Sequence, residues 1–130
     1  MLQTAAKRYQ TVQVKTSSPG DILVMLYDGL FRFLQDARSA MERDDRARSG
    51  ERIDRAHAIL TELASGLNRA VAPDLCAQLE GIYVFCMSRL VEANLTRDPL
   101  KIAEVMRVLT PLREGFKEAV RQAALKGGAT

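Results

Sequence analysis

One stretch near the start of the chain, Ser17 to Phe33, is too apolar for a helix that buries a single stripe. Its beginning is typical of a helix, because Ser18 suits the N-cap, Pro19 the first helical position and Asp21 the first turn. Six nonpolar or aromatic residues then follow without interruption, from Ile22 to Tyr27. At 3.6 residues per turn, such a run spreads around most of the helix surface.

One face of this first helix is enough for a core, and we predict that it consists of Ile22, Met25, Leu26, Gly29, Leu30, Phe33, Ala37 and Met41. Further apolar residues lie off that face and must be covered by something else: Leu23, Val24, Tyr27, Phe31 and Leu34. The third helical segment has a similar excess in Tyr83, Val84, Phe85, Met87 and Val91. Large apolar patches on small proteins usually mark partner sites, so two such helices predict a groove for a partner.

Length and composition limit the classes of protein to consider. A chain of 130 residues with 47% hydrophobic and 27% charged residues suits one globular domain. A net charge of +3 gives little reason to expect nucleic acid as a partner. No stretch approaches 20 uninterrupted apolar residues, and the first ten residues lack a long apolar segment, so we expect neither a membrane span nor a secretory signal.

The two cysteines, Cys76 and Cys86, fall in one predicted helix. Ten residues of helix separate them by roughly 15 Å, which is too far for a disulfide. Two free thiols fit a reducing cytoplasm, and we interpret both as small core residues. Neither has a histidine or second cysteine at a metal-binding spacing, so we expect no metal and no cofactor.

The pattern predicts an all-α fold, an antiparallel up-down four-helix bundle with a short N-terminal arm. We divide the chain into the arm (1–16), the bundle (17–126) and a flexible tail (127–130). The predicted helices cover 19–42, 51–71, 73–96 and 99–126, with a charged loop over 43–50 and a kink before Pro111. The predicted core includes Leu26, Phe33, Leu60, Leu63, Leu79, Ile82, Leu90, Leu109, Leu112 and Phe116.

Catalytic motifs are absent from the sequence. His57 is the only histidine, and there is no GxSxG, P-loop, HExxH or GxGxxG pattern, nor the paired ExxH of a di-iron bundle. We therefore expect no enzyme.

Two residues remain open to interpretation. Asp28 is either a solvated acid at the bundle rim, or the partner of an arginine, or a polar contact for a bound chain. Gly29 suggests close approach by another backbone.

Several segments resemble one known family, the flagellar secretion chaperones called FliS. Tyr9-Gln10 is followed by SSPGDILVMLYDGLFRFLQDA (17–37), similar to the family's Tyr-Gln, Ser-Pro and L-Y-D-G elements. IYVFCMSRLVEANLTRDP (82–99) and LTPLREGFKEA (109–119) resemble two further family segments, with Phe85 in place of a tyrosine and Phe116 in place of a common tryptophan. The resemblance covers nearly the whole chain in order.

The resemblance implies a cytoplasmic chaperone that binds the disordered C-terminal segment of flagellin, prevents premature polymerisation and delivers the subunit to components of the flagellar export apparatus. It implies that the client wraps around the bundle, and that the arm can occupy one groove without client. We expect client contacts at Tyr9, Leu23, Tyr27, Asp28, Phe31, Tyr83, Met87 and Asn94. A weak homodimer is compatible with this function. The alternative is a structural oligomer whose extra apolar faces are buried by self-association.

Overall fold

The computed structural model of the chain describes residues 18–128, which form four helices and no strand. The helices are α1 (Pro19–Glu42), α2 (Arg46–Ser65), α3 (Pro73–Thr96) and α4 (Pro99–Gly128). Helices consecutive in the chain pack against each other, and α4 closes the bundle against α1. The all-α four-helix bundle predicted from the sequence is therefore confirmed.

Local sequence signals set most of the helix ends. The Ser18 hydroxyl accepts the Asp21 amide N–H at 3.1 Å, while the Asp21 carboxylate accepts the Ser18 N–H at 3.0 Å. This reciprocal capping box, with Pro19 in the first turn, starts α1 where predicted. Pro73 starts α3, and the Asp98 carboxylate accepts the Leu100 N–H at the start of α4.

The predicted bounds of the second helix, 51–71, were wrong at both ends. Asp45 caps α2 by accepting the Arg48 amide N–H at 3.1 Å, so most of the predicted charged loop is helical. Asp44 makes the turn before it with a left-handed backbone at φ 57°. At the other end α2 stops at Gly66, and Leu67 lies beyond the helix.

The core also differs from the predicted face of α1. Tyr27 and Leu34, which lie off the predicted core face, are fully buried together with Leu30. Ile22 and Met25 are only partly buried. Of the ten predicted core residues, five are buried (Leu60, Leu63, Leu79, Leu90 and Leu109) and five are partly buried against them (Leu26, Phe33, Ile82, Leu112 and Phe116). The buried face of α1 differs from the predicted face because α1 packs against both α2 and α4, and not against a single neighbouring helix.

Pro111 lies inside α4 without ending it. The helix extends to Gly128, two residues past the predicted end. The Thr110 hydroxyl donates to the Met106 carbonyl oxygen at 2.7 Å, one turn earlier in the same helix. The N-terminal arm, including the predicted client contact Tyr9, lies outside the described residues.

Candidate functional site

An open apolar cavity of about 430 Å³ lies at the end of the bundle where α1 begins, α2 ends and α3 begins. We call it the apolar basin. Its wall is formed mainly by Leu23, Leu26, Leu63, Leu67, Leu75, Leu79 and Phe116. Leu75 is 54% exposed although it sits on this wall, so the basin offers apolar surface directly to solvent.

A buried pair of tyrosines lies beneath the basin. Tyr83 lines it from α3, and its hydroxyl oxygen lies 2.5 Å from that of Tyr27 on α1. The Tyr27 ring also packs at 5.5 Å from the ring of Phe116. Burial raises the pKa of both tyrosines, so the two phenols are neutral at physiological pH. The floor of the basin therefore presents no charge to a bound apolar group.

Two more hollows adjoin the basin through Phe116. One, of about 280 Å³, lies between α3 and α4 and includes Leu75 and Pro111. The other, of about 410 Å³, lies between the start of α1 and the C-terminal part of α4. A Cβ at Gly20 would come within 2.9 Å of Val120 Cγ2, so a larger residue there would require the Val120 side chain to shift. Apolar surface thus extends around this end of the bundle on both sides of α4.

Asp28 is held in an ionic cluster between α1 and α4. Its Oδ1 accepts Arg113 Nε at 3.0 Å and Nη2 at 2.6 Å, and Lys117 Nζ lies 3.3 Å away. The guanidinium of Arg113 also lies over the ring of Phe31, 4.7 Å from its centre. Partial burial acts to raise the pKa of Asp28, but the hydrogen bonds from Arg113 and Lys117 outweigh it and lower the pKa. The structure therefore shows Asp28 as the partner of Arg113, and its contact with a bound chain stays a prediction.

The seven predicted contact residues that lie within residues 18–128 do not converge on one surface. Leu23 lines the basin, whereas Asp28 and Phe31 lie on the side shared by α1 and α4. Met87 faces α2, where its sulfur accepts a hydrogen bond from the Thr61 hydroxyl at 3.4 Å. Asn94 lies about two turns later on α3 and is exposed. Tyr9 lies outside residues 18–128. A ligand that contacts those of the described residues that are not buried must extend around the bundle.

Three placements expected from the sequence need correction. Tyr27 and Tyr83 are core residues, 0% and 1% exposed, and not surface groups beside the core. Their amphipathic rings suggested an interface, but the two hydroxyls form a hydrogen bond with each other inside the core. The neighbour of Gly29 is a side chain and not a backbone, since the nearest heavy atom to a Cβ there would be Ile59 Cδ1 at 3.7 Å.

Sequence reasoning predicted a groove but did not single out Leu67 or Leu75 among the residues that line it. The available signal was Gly66, which ends α2 and leaves Leu67 beyond the last turn. Within residues 18–128, no group of acidic, histidine or cysteine side chains is arranged to hold a metal ion. The two cysteines in that range are buried free thiols. None of the helices of the described chain has the length and hydropathy needed to cross a bilayer.

Comparison with known proteins identifies a family and several relatives of this chain. The family profile described as "Flagellar protein FliS" matches residues 1–123. The chain is 35% identical over 120 residues to the flagellar secretion chaperone FliS of Bacillus subtilis, covering 92% of this chain and 89% of the relative. It is 32% identical to FliSB of Pseudomonas aeruginosa, covering 86% of this chain and 92% of the relative. The corresponding FliS of Salmonella typhimurium is 30% identical, with 92% and 93% covered.

These relatives are chaperones and not enzymes, in agreement with the absence of catalytic motifs from the sequence. The match to the family profile spans the arm, the helices α1 to α3, and α4 as far as residue 123. The chain therefore belongs to the FliS family of flagellar proteins.

Proposed function

We propose that this protein is a cytoplasmic export chaperone for flagellin. It binds the disordered C-terminal segment of flagellin, prevents premature polymerisation, and delivers the subunit to the flagellar type III export apparatus. Family membership supports the role of flagellar secretion chaperone. The observation that carries the binding step is the apolar basin, an open hydrophobic surface with an uncharged floor.

The shape and chemistry of the basin suit an amphipathic helix formed by a disordered client on binding. Such helices place apolar side chains at i, i+3, i+4 and i+7 into hydrophobic grooves. Leucines from α1, α2 and α3 supply the matching wall, and the adjoining hollows around Phe116 lengthen the apolar track. Burial of this track offsets the entropy that the client loses on ordering.

The remaining predicted contacts favour an extended client over a compact one. Phe31 and Asp28 lie on one side of the bundle, and Met87 and Asn94 on another. A segment that begins in the basin and continues around the helices contacts both sides. In this proposal Tyr27 and Tyr83 act from beneath the basin, where they fix the positions of α1 and α3.

Calorimetric titration with a peptide of the flagellin C-terminal segment tests the proposal. Leu75→Ala removes an exposed wall residue, and we expect it to weaken binding by about 1–2 kcal/mol, roughly 5- to 30-fold. Leu100→Ala is the matched control, because Leu100 is also an exposed leucine near a helix start but does not line the basin. Unchanged affinity for both Leu75→Ala and Leu23→Ala, in folded variants, would rule out the basin as the client site.

We also propose that the N-terminal arm, with Tyr9 and Val12, occupies the basin in the absence of client. The support is positional: Pro19 lines the basin, so the residues that precede it begin at the basin's rim. Deletion of residues 1–16 should then raise the binding of a hydrophobic dye without unfolding the bundle. Equal hydrogen-exchange protection of the arm with and without client would contradict its displacement.

A further inference from the structure

Helix α4 changes character at Pro111. Before this residue, Ile102, Val105 and Leu109 are fully buried in the core. Beyond it, no residue as far as the end of the described side chains is buried. We call this second part of the helix, residues 112–127, the α4 flap. At 1.5 Å per residue the flap is about 24 Å long. It therefore covers one end of the bundle without contributing to the fully buried core.

Three features weaken the helix where the flap begins. Pro111 has no amide N–H, so it cannot donate to the carbonyl oxygen of Arg107 four residues earlier. The Thr110 hydroxyl donates to the Met106 carbonyl oxygen at 2.7 Å, a contact that often bends helices. Gly115 follows one turn later, and glycine is disfavoured inside a helix. No other part of the described chain comes within 4 Å of the position its Cβ would take, so packing does not require glycine there.

Open space borders the flap on both sides. The hollow between α3 and α4 reaches Pro111 and Gly115, and the hollow between the start of α1 and α4 is lined by Val120. Phe116 borders both hollows and also the basin. Its ring packs 5.5 Å from that of Tyr27. Movement of the flap away from the bundle removes the side chain that stands between the three cavities and joins them above Tyr27.

Charged groups hold the flap against α1. Arg113 Nη2 and Lys117 Nζ, both in the flap, lie 2.6 Å and 3.3 Å from Asp28 Oδ1. The Arg113, Lys117 and Asp28 side chains are 27%, 38% and 32% exposed. Ion pairs that water reaches in this way are weak, because solvent screens the charges. The flap can therefore separate from α1 while the core remains folded.

We propose that Pro111 is a hinge about which the α4 flap opens away from α1 and α3, and that opening creates the continuous groove in which the client helix binds. The first part concerns the free protein alone, whereas the second rests on the proposed function. With the flap closed, the apolar surface is divided into hollows of about 430, 410 and 280 Å³. With the flap open, successive apolar side chains of a helix can lie along one groove past Phe116.

Native-state hydrogen exchange of the free, full-length protein tests the hinge. A helix of this length released from the bundle is marginal in water, so its amides exchange during each opening. We expect the flap amides to exchange together, with similar protection along the segment and at least tenfold faster than amides 102–109. A gradient that falls steadily towards the C-terminus indicates fraying from the end and overturns the hinge.

Two substitutions should move flap exchange in opposite directions. Pro111→Ala restores the missing hydrogen bond and should slow exchange at least tenfold. Asp28→Asn removes the ionic contact and should speed exchange by up to about fivefold. Gly81→Ala is the control, because it strengthens α3 at a position where a Cβ meets no other part of the described chain. It should leave flap exchange unchanged. Flap exchange that Pro111→Ala leaves unchanged overturns the hinge.

A disulfide that closes the flap tests its role in client binding. A Cβ at Gly20 on α1 would lie 3.9 Å from Val120 Cβ on the flap, within the range found in disulfides. The oxidised Gly20→Cys/Val120→Cys variant should bind a flagellin C-terminal peptide at least tenfold more weakly than the same variant after reduction. Wild type under both conditions is the control, since Cys76 and Cys86 are buried.

The outcomes separate the hinge from the proposed function. Pro111→Ala needs no cysteine and should also weaken peptide binding, because it lowers the open population. Equal affinity of the oxidised and reduced variants overturns the client part of the proposal. A wild type that does not bind the peptide contradicts the proposed function and the client part together. The hydrogen-exchange result on the free protein then decides the hinge by itself.

Discussion

The hydroxyl oxygens of Tyr27 and Tyr83 lie 2.5 Å apart inside the core and join α1 to α3 across the diagonal of the bundle. These two helices are not packing neighbours, since each lies between α2 and α4. The hydrogen bond thus fixes the distance between opposite helices directly below the apolar basin. A buried hydroxyl that loses its partner is costly, so the pair also enforces a unique packing of the core.

This pairing predicts strong non-additivity in a double-mutant cycle. Tyr27→Phe or Tyr83→Phe alone strands one buried hydroxyl, and we expect each to lower the free energy of unfolding by about 1–3 kcal/mol. The double variant removes both polar groups while keeping both rings, so its loss should be smaller than the sum of the single losses. Urea unfolding of the four proteins measures the coupling. Additive losses would show that the hydrogen bond contributes nothing of its own.

A second prediction concerns alkaline pH. Burial raises the pKa of Tyr27 and Tyr83 above the ordinary value of 10.0, and raises the pKa of Cys86 from 9.0 to about 12. These groups release protons more readily in the unfolded chain, so their contribution to stability is complete below pH 9 and is lost as pH rises. We expect about 1.4 kcal/mol of loss per pH unit for each such group.

Unfolding midpoints measured from pH 8 to 11 check this dependence. The double variant with phenylalanine at 27 and 83 is the control, because only Cys86 of the three groups remains. Its midpoint should decline less steeply than that of wild type above pH 10. Parallel declines in the two proteins would show that the tyrosines do not set the alkaline limit.

The ionic cluster predicts the opposite pH dependence for Asp28. Its pKa is lowered in the folded protein from the model-peptide value of 3.8, so the stabilisation is present above that value and is lost as pH falls. Asp28→Asn should lower the free energy of unfolding at neutral pH by about 1 kcal/mol. The difference from wild type should vanish at acid pH. Glu118→Gln is the comparison variant, since Glu118 pairs with Arg121 on the exposed surface of α4 and not between two helices.

Two leucines four residues apart on α3 both line the basin but differ in how deeply they are buried. Leu79 is 7% exposed and belongs to the core cluster, so Leu79→Ala should cost about 2–5 kcal/mol of unfolding free energy. Leu75 is more than half exposed, and Leu75→Ala should cost much less. Chemical denaturation compares the two directly. A midpoint for Leu79→Ala that matches wild type would show that Leu79 does not contribute to the core.

Gly29 offers a stabilising substitution. It lies inside α1, and a Cβ would meet only ordinary contacts, with Ile59 Cδ1 at 3.7 Å and Arg32 Nη2 at 3.8 Å. Because alanine is the better helix former, Gly29→Ala should raise the free energy of unfolding by up to about 1 kcal/mol. Gly20→Ala is the contrasting variant, since its Cβ would press on Val120. Destabilisation by Gly29→Ala would indicate a tighter approach of α2 than the structure shows.

The sequence by itself determined the helices whose ends carry strong local signals. The prolines at 19, 73 and 99 mark the starts of α1, α3 and α4, and each start was predicted correctly. The repeat of apolar residues at three and four positions fixed the helical class. These signals depend on neighbours within a few residues, so they can be read without the fold. Family membership was also visible in the segments around Tyr27 and Asn94.

Only the tertiary structure decided which side of each apolar helix faces inward. Tyr27 belongs to the core because Tyr83 on another helix supplies its hydrogen-bond partner. Ser49, predicted to lie in a loop, is buried in α2, where its hydroxyl accepts Arg97 Nη1 at 3.0 Å from the turn after α3. In a helix that is apolar on several sides, periodicity leaves these orientations nearly equal in energy. Contacts between residues far apart in the chain select one of them, and those contacts exist only in the folded bundle.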